Sequence, residues 1–466
     1  MRRPFVSTVS KCETTLKASC RAPRGKALAP LVLLLSLALP IGVPGADASS
    51  ANSPAARSPA VKPLLSDEQE IAAAIRFFTE RVKRDPGDVN AQNRLAYYHL
   101  QRLKETNNSV DLDLATRAAL VSLATVPAER NLSGLAMLAQ AEQFAHDFAA
   151  SRDHGRQLLT HAPKNGYFHE ILGDALLELG EYEKAEAAFL AMERIDGASV
   201  DSETRRARLA FLRGKTRSAQ QHYANAIELA SRLASPPRQS VAWCYWQMGE
   251  MAFSGGDYAD AERRYRAALT VFPDYYHALA GVGKVKAAGG DRSGAIDYYK
   301  RAIERFPDLA WLAALGDLYR LTERHAEAAA QYKIVTDIGR LNKTNGQLYS
   351  RQLALFYADH DREPAEASAN AVREYAAGRR DIYGADALAW TALKSDKLTQ
   401  ARTAIKEALR LGTLDAMLFY HAGMIARAAG DNAEARRYLT HALALNPQFD
   451  PLQASLARRA LQVRAE

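Results

Sequence analysis

Cysteine is scarce in this sequence, with three residues in a chain of 466. Cys12 and Cys20 lie near the N-terminus, and Cys244 stands alone in the remainder. A single cysteine cannot form an internal disulfide, nor can it supply the cysteine pairs of a structural zinc site. The chain beyond residue 48 must therefore be stabilised by packing, and small disulfide-stapled folds are excluded.

A strong excess of charge of one sign is also missing. The chain has 61 Lys and Arg against 53 Asp and Glu, for a net charge of +8. Seven of the basic and two of the acidic residues precede Ser49, which leaves 54 basic against 51 acidic residues and a net charge of +3. Nucleic-acid binding needs a clustered basic stripe, which this dispersed surplus does not provide. We therefore expect no nucleic-acid partner.

Patterns for catalysis or cofactor binding are absent as well. The sequence contains no Gly-x-Ser-x-Gly elbow and no Asp-rich calcium loop. The segment 281–284 lacks the spacing and the Ser or Thr of a phosphate-binding loop. His169-Glu170 begins a zinc-protease pattern, but Gly173 stands where the second His is required. The sequence therefore predicts a protein that is not an enzyme and that uses no cofactor and no metal ion.

The first 48 residues have the pattern of an export signal. Seven basic residues precede an apolar run at 27–39, and Ala46-Asp47-Ala48 matches a signal-peptidase site. The run is shorter than the roughly 20 residues that span a membrane, so we expect cleavage before Ser49 instead of an uncleaved anchor. Residues 49–65, rich in Ser, Ala and Pro, predict a flexible linker. The mature protein would be periplasmic or secreted, without stable membrane insertion.

The rest of the chain repeats a helical pattern with a period of about 34 residues. Pro273 and Pro307 are one period apart, and each closes a helix with the same internal order. Within residues 242–275, two apolar helical stripes are separated by the turn at 254–257. The stripes consist of Tyr245, Met248, Gly249 and Ala252, then Ala261, Tyr265 and Ala268. Small residues let the two helices approach closely, and the aromatic side chains fill the space beside them.

Further copies of this unit occupy most of the chain. Close matches lie at 166–199, 276–308, 309–341 and 416–449, and weaker ones at 88–131, 132–165, 200–233, 347–381 and 382–415. A leading half-repeat comes first, and Asp450-Pro451 begins a predicted capping helix over 450–466. Two departures from the period, a longer loop at 107–111 and an inserted linker at 235–238, and the lack of the glycine in 347–381 leave the exact repeat count open.

The order small residue, aromatic, small residue, proline at this period resembles the tetratricopeptide repeat, and the resemblance covers nearly all of residues 66–449. It implies an all-α fold, a right-handed superhelical solenoid of about ten helical hairpins, in a protein of the exported bacterial type. Such solenoids commonly hold a peptide or protein in a concave groove lined by the first helix of each hairpin. The resemblance thus implies a protein–protein interaction scaffold or adaptor of the bacterial cell envelope. The alternative is an accessory or regulatory subunit of an envelope enzyme complex. The oligomeric state stays open.

One helix carries a second stripe that hairpin packing does not require, because Trp243, Trp246, Glu250 and Phe253 fall at i, i+3, i+7 and i+10. The family's geometry turns this stripe toward the groove. The predicted peptide-binding set is Trp243, Trp246, Glu250, Phe253, His277, Lys284, Tyr383, Trp390 and Tyr420, with Tyr167, Asp174 and Met424 on the same surface. Aromatic side chains interleaved with acids favour an extended ligand with apolar anchors and some basic character. The alternative is that the two tryptophans only fill space beneath the linker at Pro236-Pro237.

Overall fold

The computed structural model describes residues 67–106, 108–233, 236–344 and 351–462. The predicted signal (1–48), the predicted linker (49–65) and the last four residues of the predicted capping segment lie outside them. The described residues form 22 α-helices and one short 3-10 turn, without any strand. None of these helices combines the length and the apolar character needed to cross a bilayer. The helices are α1 Asp67–Arg84, α2 Val89–Thr106, α3 Ser109–Thr125, α4 Leu132–Phe144, α5 Phe148–His161, α6 Gly166–Glu178, α7 Tyr182–Asp196, α8 Val200–Leu212, α9 Thr216–Ser231, α10 Arg238–Ser254, α11 Tyr258–Val271, α12 Tyr276–Ala288, α13 Arg292–Arg305, α14 Leu309–Leu321, α15 His325–Thr344, α16 Arg351–Asp359, α17 Pro364–Ala376, α18 Ile382–Lys394, α19 Leu398–Ala408, α20 Ala416–Ala428, α21 Asn432–Leu445 and α22 Gln453–Gln462.

The helices pair into hairpins, from α2–α3 to α20–α21, with α1 before and α22 after them. The α10–α11 hairpin shows why. A Cβ on Gly249 would lie 2.5 Å from Cε1 of Tyr265, so only glycine lets this ring settle against the first helix. The ring is fully buried, as are Ala261 and Ala268 beside it. The prediction of an all-α solenoid of helical hairpins is confirmed.

The solenoid also contacts itself at long range, because the start of α18 lies beside the turn between α6 and α7, six hairpins earlier in the chain. The backbone N–H of Ile382 donates to the Tyr182 hydroxyl at 2.9 Å, across 200 residues. Arg410 Nη2 donates to the Gly180 carbonyl at 2.8 Å. One hydrophobic cluster joins Leu177 and Phe189 to side chains of α18, α19 and α20. The superhelix therefore completes a turn within the chain, and its second turn rests on its first.

Two further sets of contacts continue this junction. The Thr413 hydroxyl donates to the Leu212 carbonyl, 201 residues away. Asn446 Nδ2 donates to the Phe253 carbonyl at 2.7 Å, and the Tyr258 hydroxyl donates to Asn446 Oδ1 at 2.6 Å. We call these three sets of contacts the seam; they join 178–182 to 379–382 and Arg410, 212–214 to 412–414, and 253–258 to 445–448.

Two first helices are longer than the others. Helix α2 has 18 residues and α10 has 17, whereas α4, α6, α8 and α12 each have 13. These are the helices next to the two departures from the repeat period. Their projecting ends meet, because the side-chain amide of Gln239 donates to the Lys104 carbonyl. The C-terminal end of α2 is thus joined directly to the N-terminal end of α10.

Candidate peptide-binding groove

The inner faces of the first helices enclose a cavity of about 510 Å³ between α2 and α12. A pocket of this size is in the range that holds a drug-sized ligand. Its walls combine aromatic rings with charged side chains. The aromatic residues that line it are Phe144, Phe148, Trp243, Tyr275, Tyr276 and His277.

The aromatic side of the site is a set of rings on α10, α12 and α14. The Trp246 ring stacks on His277 with a centroid distance of 4.4 Å, and Trp311 meets the other side of His277 edge-on at 5.4 Å. Burial lowers the pKa of His277 to about 4, although Glu250 opposes this shift, so the imidazole is neutral at pH 7. The surface is therefore aromatic and uncharged under ordinary conditions. Trp311 was missed from the sequence, because it stands one position away from the residue equivalent to His277.

Trp243 has features of both interpretations, as a residue of the groove and as a residue that fills space in the core. Its ring packs edge-on against Tyr223 of the preceding hairpin, with centroids 5.6 Å apart, and belongs to the core on both sides of α10. The same side chain lines the cavity. Helix α10 begins directly after Pro237, which places Trp243 about one and a half turns from the elongated end of the helix. It supports the wall of the cavity and also forms part of it.

Glu250 and Lys284 come together one turn further along the groove. Lys284 Nζ donates to Glu250 Oε2 at 2.6 Å, and the Tyr265 hydroxyl donates to Glu250 Oε1 at the same distance. Burial would raise the pKa of Glu250, but Lys284 and Tyr265 outweigh it and the pKa is lowered. Lys284 also lies 4.9 Å from the centre of the buried Phe253 ring. This carboxylate is thus satisfied within the protein.

The seam brings Tyr383 to the same part of the groove. A smaller cavity of about 190 Å³ is lined by Glu250 and Gln247 of α10 and by Tyr383 of α18. Glu178 and Arg208 line both cavities, so the two adjoin. The structure therefore places Trp243, Trp246, Glu250, His277, Lys284 and Tyr383 along one surface.

Three residues of the predicted set lie elsewhere. Trp390 and Tyr420 are 2% and 1% exposed and pack around His421, whose ring stacks on Trp390 with centroids 4.2 Å apart. Trp390 Nε1 donates to Asp359 at 2.8 Å. Phe253 is buried in the α10–α11 hairpin. The expectation that these three rings face a ligand is corrected, because neighbouring repeats already cover them.

The acidic side chains of the groove already have basic partners. Arg205 donates to both oxygens of Asp174, at 2.9 and 2.6 Å, and to Glu170 at 2.7 Å. Burial raises the pKa of Glu170 to about 7, even though Arg205 acts in the opposite direction. Glu178 pairs with Arg208 and, across the seam, with Arg379 at 3.2 Å. Because these acids are paired within the protein, they do not favour a basic ligand. Tyr167 and Met424 are partly buried.

Sequence comparison decides the family. Profiles of the tetratricopeptide repeat match residues 136–200, 199–274, 247–309, 283–341 and 387–448. The chain belongs to the tetratricopeptide repeat family. Proteins with such repeats bind other proteins and are generally non-catalytic, so in general terms this chain is a protein–protein interaction scaffold. The family prediction is confirmed. Among the described residues, no group of three His, Cys, Asp or Glu side chains is placed to hold a metal ion.

Several solved structures of tetratricopeptide repeat solenoids are similar to this one. A repeat protein from Parabacteroides merdae is 16% identical, with a TM-score of 0.40, over 52% of this chain and 88% of that one. Yeast Tom70 is 12% identical, with a TM-score of 0.37, over 84% and 92% of the two chains. The type IV pilus biogenesis factor PilW is 18% identical, with a TM-score of 0.36, over 47% and 94%. No curated protein matches the sequence.

Proposed function

We propose that this protein is an adaptor of the bacterial cell envelope that holds an extended segment of a partner protein in its groove. The observation that carries the proposal is the cavity of about 510 Å³ lined by Trp243, Tyr276 and His277. Large aromatic side chains supply contact area at low cost in conformational entropy and dominate many binding sites.

The envelope location rests on the export pattern of residues 1–48. N-terminal sequencing of the exported protein should begin at Ser49, and retention of the apolar run would contradict cleavage.

Capture of the partner tests the groove. The tagged protein is used to pull down partners from envelope extracts, which are identified by mass spectrometry and then titrated. In the double variant Trp243→Ala, Trp246→Ala we expect a loss of roughly 1 to 4 kcal/mol of binding free energy with helicity retained. Leu190→Ala, at an exposed position of the outer helix α7, is the control and should bind normally.

The titration also separates the two functional candidates. Full affinity in the folded double variant would show that the partner binds away from this surface. If the captured partner is an enzyme whose activity changes on binding, the protein acts as an accessory or regulatory subunit. If it is not, the adaptor function stands.

A further inference from the structure

The N-terminal end of the groove contains a third cavity, of about 630 Å³, formed by α1, α2 and α4. Its apolar walls are Phe78, Tyr97 and Met137, and Asn90 adds an exposed side-chain amide. Tyr97 is 38% exposed, and Phe77, whose ring contacts Phe78 edge-on, is 60% exposed, which is unusually open for large apolar side chains. Aromatic surface is thus presented to solvent at this end of the solenoid.

Among the described residues, the hydrophobic core of this region is formed without the second superhelical turn. The hydrophobic cluster around α1 to α5 is formed by residues between 71 and 171, whereas the cluster at α6 to α8 includes side chains of α16 to α20. Arg379 of the second turn reaches back to His146, at 3.2 Å, and to the Phe148 ring, both of which follow α4 in the chain. The cavity at α1, α2 and α4 is therefore the entrance of the groove, and we call it the mouth.

The charge of the mouth differs from that of the inner cavity. Arg81 and Arg94 line the mouth, and none of the described acidic residues does. Arg81 is half-exposed and pairs with Asp88, while Arg94 is exposed and has no ion pair with any described residue. The inner cavity instead carries three acids, Asp174, Glu178 and Asp201, against three basic residues. An unpaired arginine beside exposed aromatic rings complements a carboxylate next to an apolar side chain.

Helix α2 runs from the mouth to the inner cavity. Arg94 and Tyr97 lie one turn apart on this helix and line the mouth. Leu103 and Lys104, about two turns beyond Tyr97 on the same helix, line the inner cavity. Helix α2 therefore connects Tyr97 to the inner site.

We infer that the mouth is a docking site for an extended protein segment that carries acidic side chains next to aromatic ones. Arg94 pairs with a carboxylate of the segment, Phe78, Tyr97 and Met137 receive an aromatic side chain, and the Asn90 amide bonds to its backbone. The inference rests on the proposed function, since it names the chemistry of a segment that enters the same groove. It reverses the basic ligand expected from the sequence.

Titration with random copolymers tests this inference on the full chain. A fluorescent copolymer of glutamate and tyrosine should bind, with an affinity that falls as salt rises, and a copolymer of lysine and tyrosine should not. Arg94→Glu should weaken binding of the glutamate–tyrosine copolymer roughly tenfold, because the attraction between residue 94 and the copolymer's carboxylates becomes a repulsion. Arg117→Glu makes the same charge change at an exposed site on the outer helix α3 and should bind as the unmodified protein does.

Tyr97→Ala is a second test variant, in which the charge does not change. It should also weaken binding of the glutamate–tyrosine copolymer roughly tenfold, with the circular dichroism spectrum unchanged. Equal weakening in the Arg94 and Arg117 variants would show diffuse electrostatics and overturn the mouth site. Absence of binding, or equal binding of the lysine copolymer, would overturn it as well.

The Trp243→Ala, Trp246→Ala variant in the same titration distinguishes the two proposals. If that variant loses affinity while Arg94→Glu does not, the groove stands and the mouth is refuted. If only Arg94→Glu loses affinity, the mouth stands and the inner aromatic site is refuted. Loss in both supports a segment that runs from the mouth into the groove.

Discussion

Two groups of hairpin turns in this solenoid have the same local structure and different surroundings. Gly180, Gly214 and Gly256 turn with φ between 68° and 76°, and a Cβ on each would lie within 3.0 Å of a backbone oxygen in the second superhelical turn. Gly290 and Gly430 occupy the equivalent turns with φ of 83° and 78°, yet a Cβ there would meet nothing within 4 Å.

The comparison separates two reasons for glycine at one position. In both groups glycine provides the left-handed backbone that ends the first helix of a hairpin. In the first group it also lets another part of the chain approach, as at Gly214, where the neighbour is the Gly412 carbonyl. The hairpins along the seam are therefore held by their neighbours in sequence and also by hairpins about 200 residues away.

The largest effect is expected from Gly214→Val compared with Gly430→Val. Both place a β-branched residue in the left-handed region, which costs about 2 kcal/mol. At Gly214 the new Cβ would in addition lie 2.5 Å from the Gly412 oxygen, which brings the loss to about 4 kcal/mol. Denaturant unfolding followed by circular dichroism measures the difference. Equal losses in the two variants would show that the seam is not formed in solution.

A smaller effect is expected at the charged part of the seam, where Glu178 lies between Arg208 and Arg379. Burial alone would raise its pKa, but the arginines outweigh burial and lower the pKa to about 2 from the ordinary 4.5. The stabilisation is therefore present above pH 4.5 and is lost as the pH falls from 4.5 toward 2. The shift corresponds to about 3 kcal/mol.

Glu178→Gln should therefore cost about 3 kcal/mol at pH 7, and the difference from the unmodified protein should shrink as the pH falls below 4.5. Unfolding curves measured across this pH range test the prediction. Glu434→Gln is the control, because its pair with Arg437 is exposed and is expected to contribute less than about 1 kcal/mol. A difference that stays constant down to pH 2 would contradict the ionic role of Glu178.

The smallest effect is expected at the last part of the seam. Asn446→Ala removes the donor to the Phe253 carbonyl and the acceptor of the Tyr258 hydroxyl. Leaving the Phe253 carbonyl and the Tyr258 hydroxyl without these partners should lower the free energy of unfolding by about 2 kcal/mol. Asn432→Ala, at the exposed start of α21, should be nearly neutral. Thermal unfolding compares the two, and identical midpoints would show that the Asn446 side chain does not join the turns.

The sequence predicts which residues of neighbouring first helices lie side by side. It does not predict which of their aromatic rings remain open to a ligand. Trp246, Glu250, His277 and Lys284 lie on adjacent first helices, so one repeat period suffices to place them side by side. Trp390 and Tyr420 follow the same pattern, but whether a ring on a first helix faces ligand or protein depends on what the neighbouring repeats place over it. That cover comes from His421, Asp359 and α22, and the repeat pattern does not describe it.

The sequence by itself determined the hairpins, because each depends on contacts within one period. Gly249, Ala261 and Tyr265 are close in the chain and interlock in space, and aspartates such as Asp257 and Asp291 cap the second helices. The seam, the meeting of α2 with α10 and the open mouth were decided only by the tertiary structure. They depend on the rotation accumulated over six hairpins, to which every packing contact adds a small part and which no local pattern records.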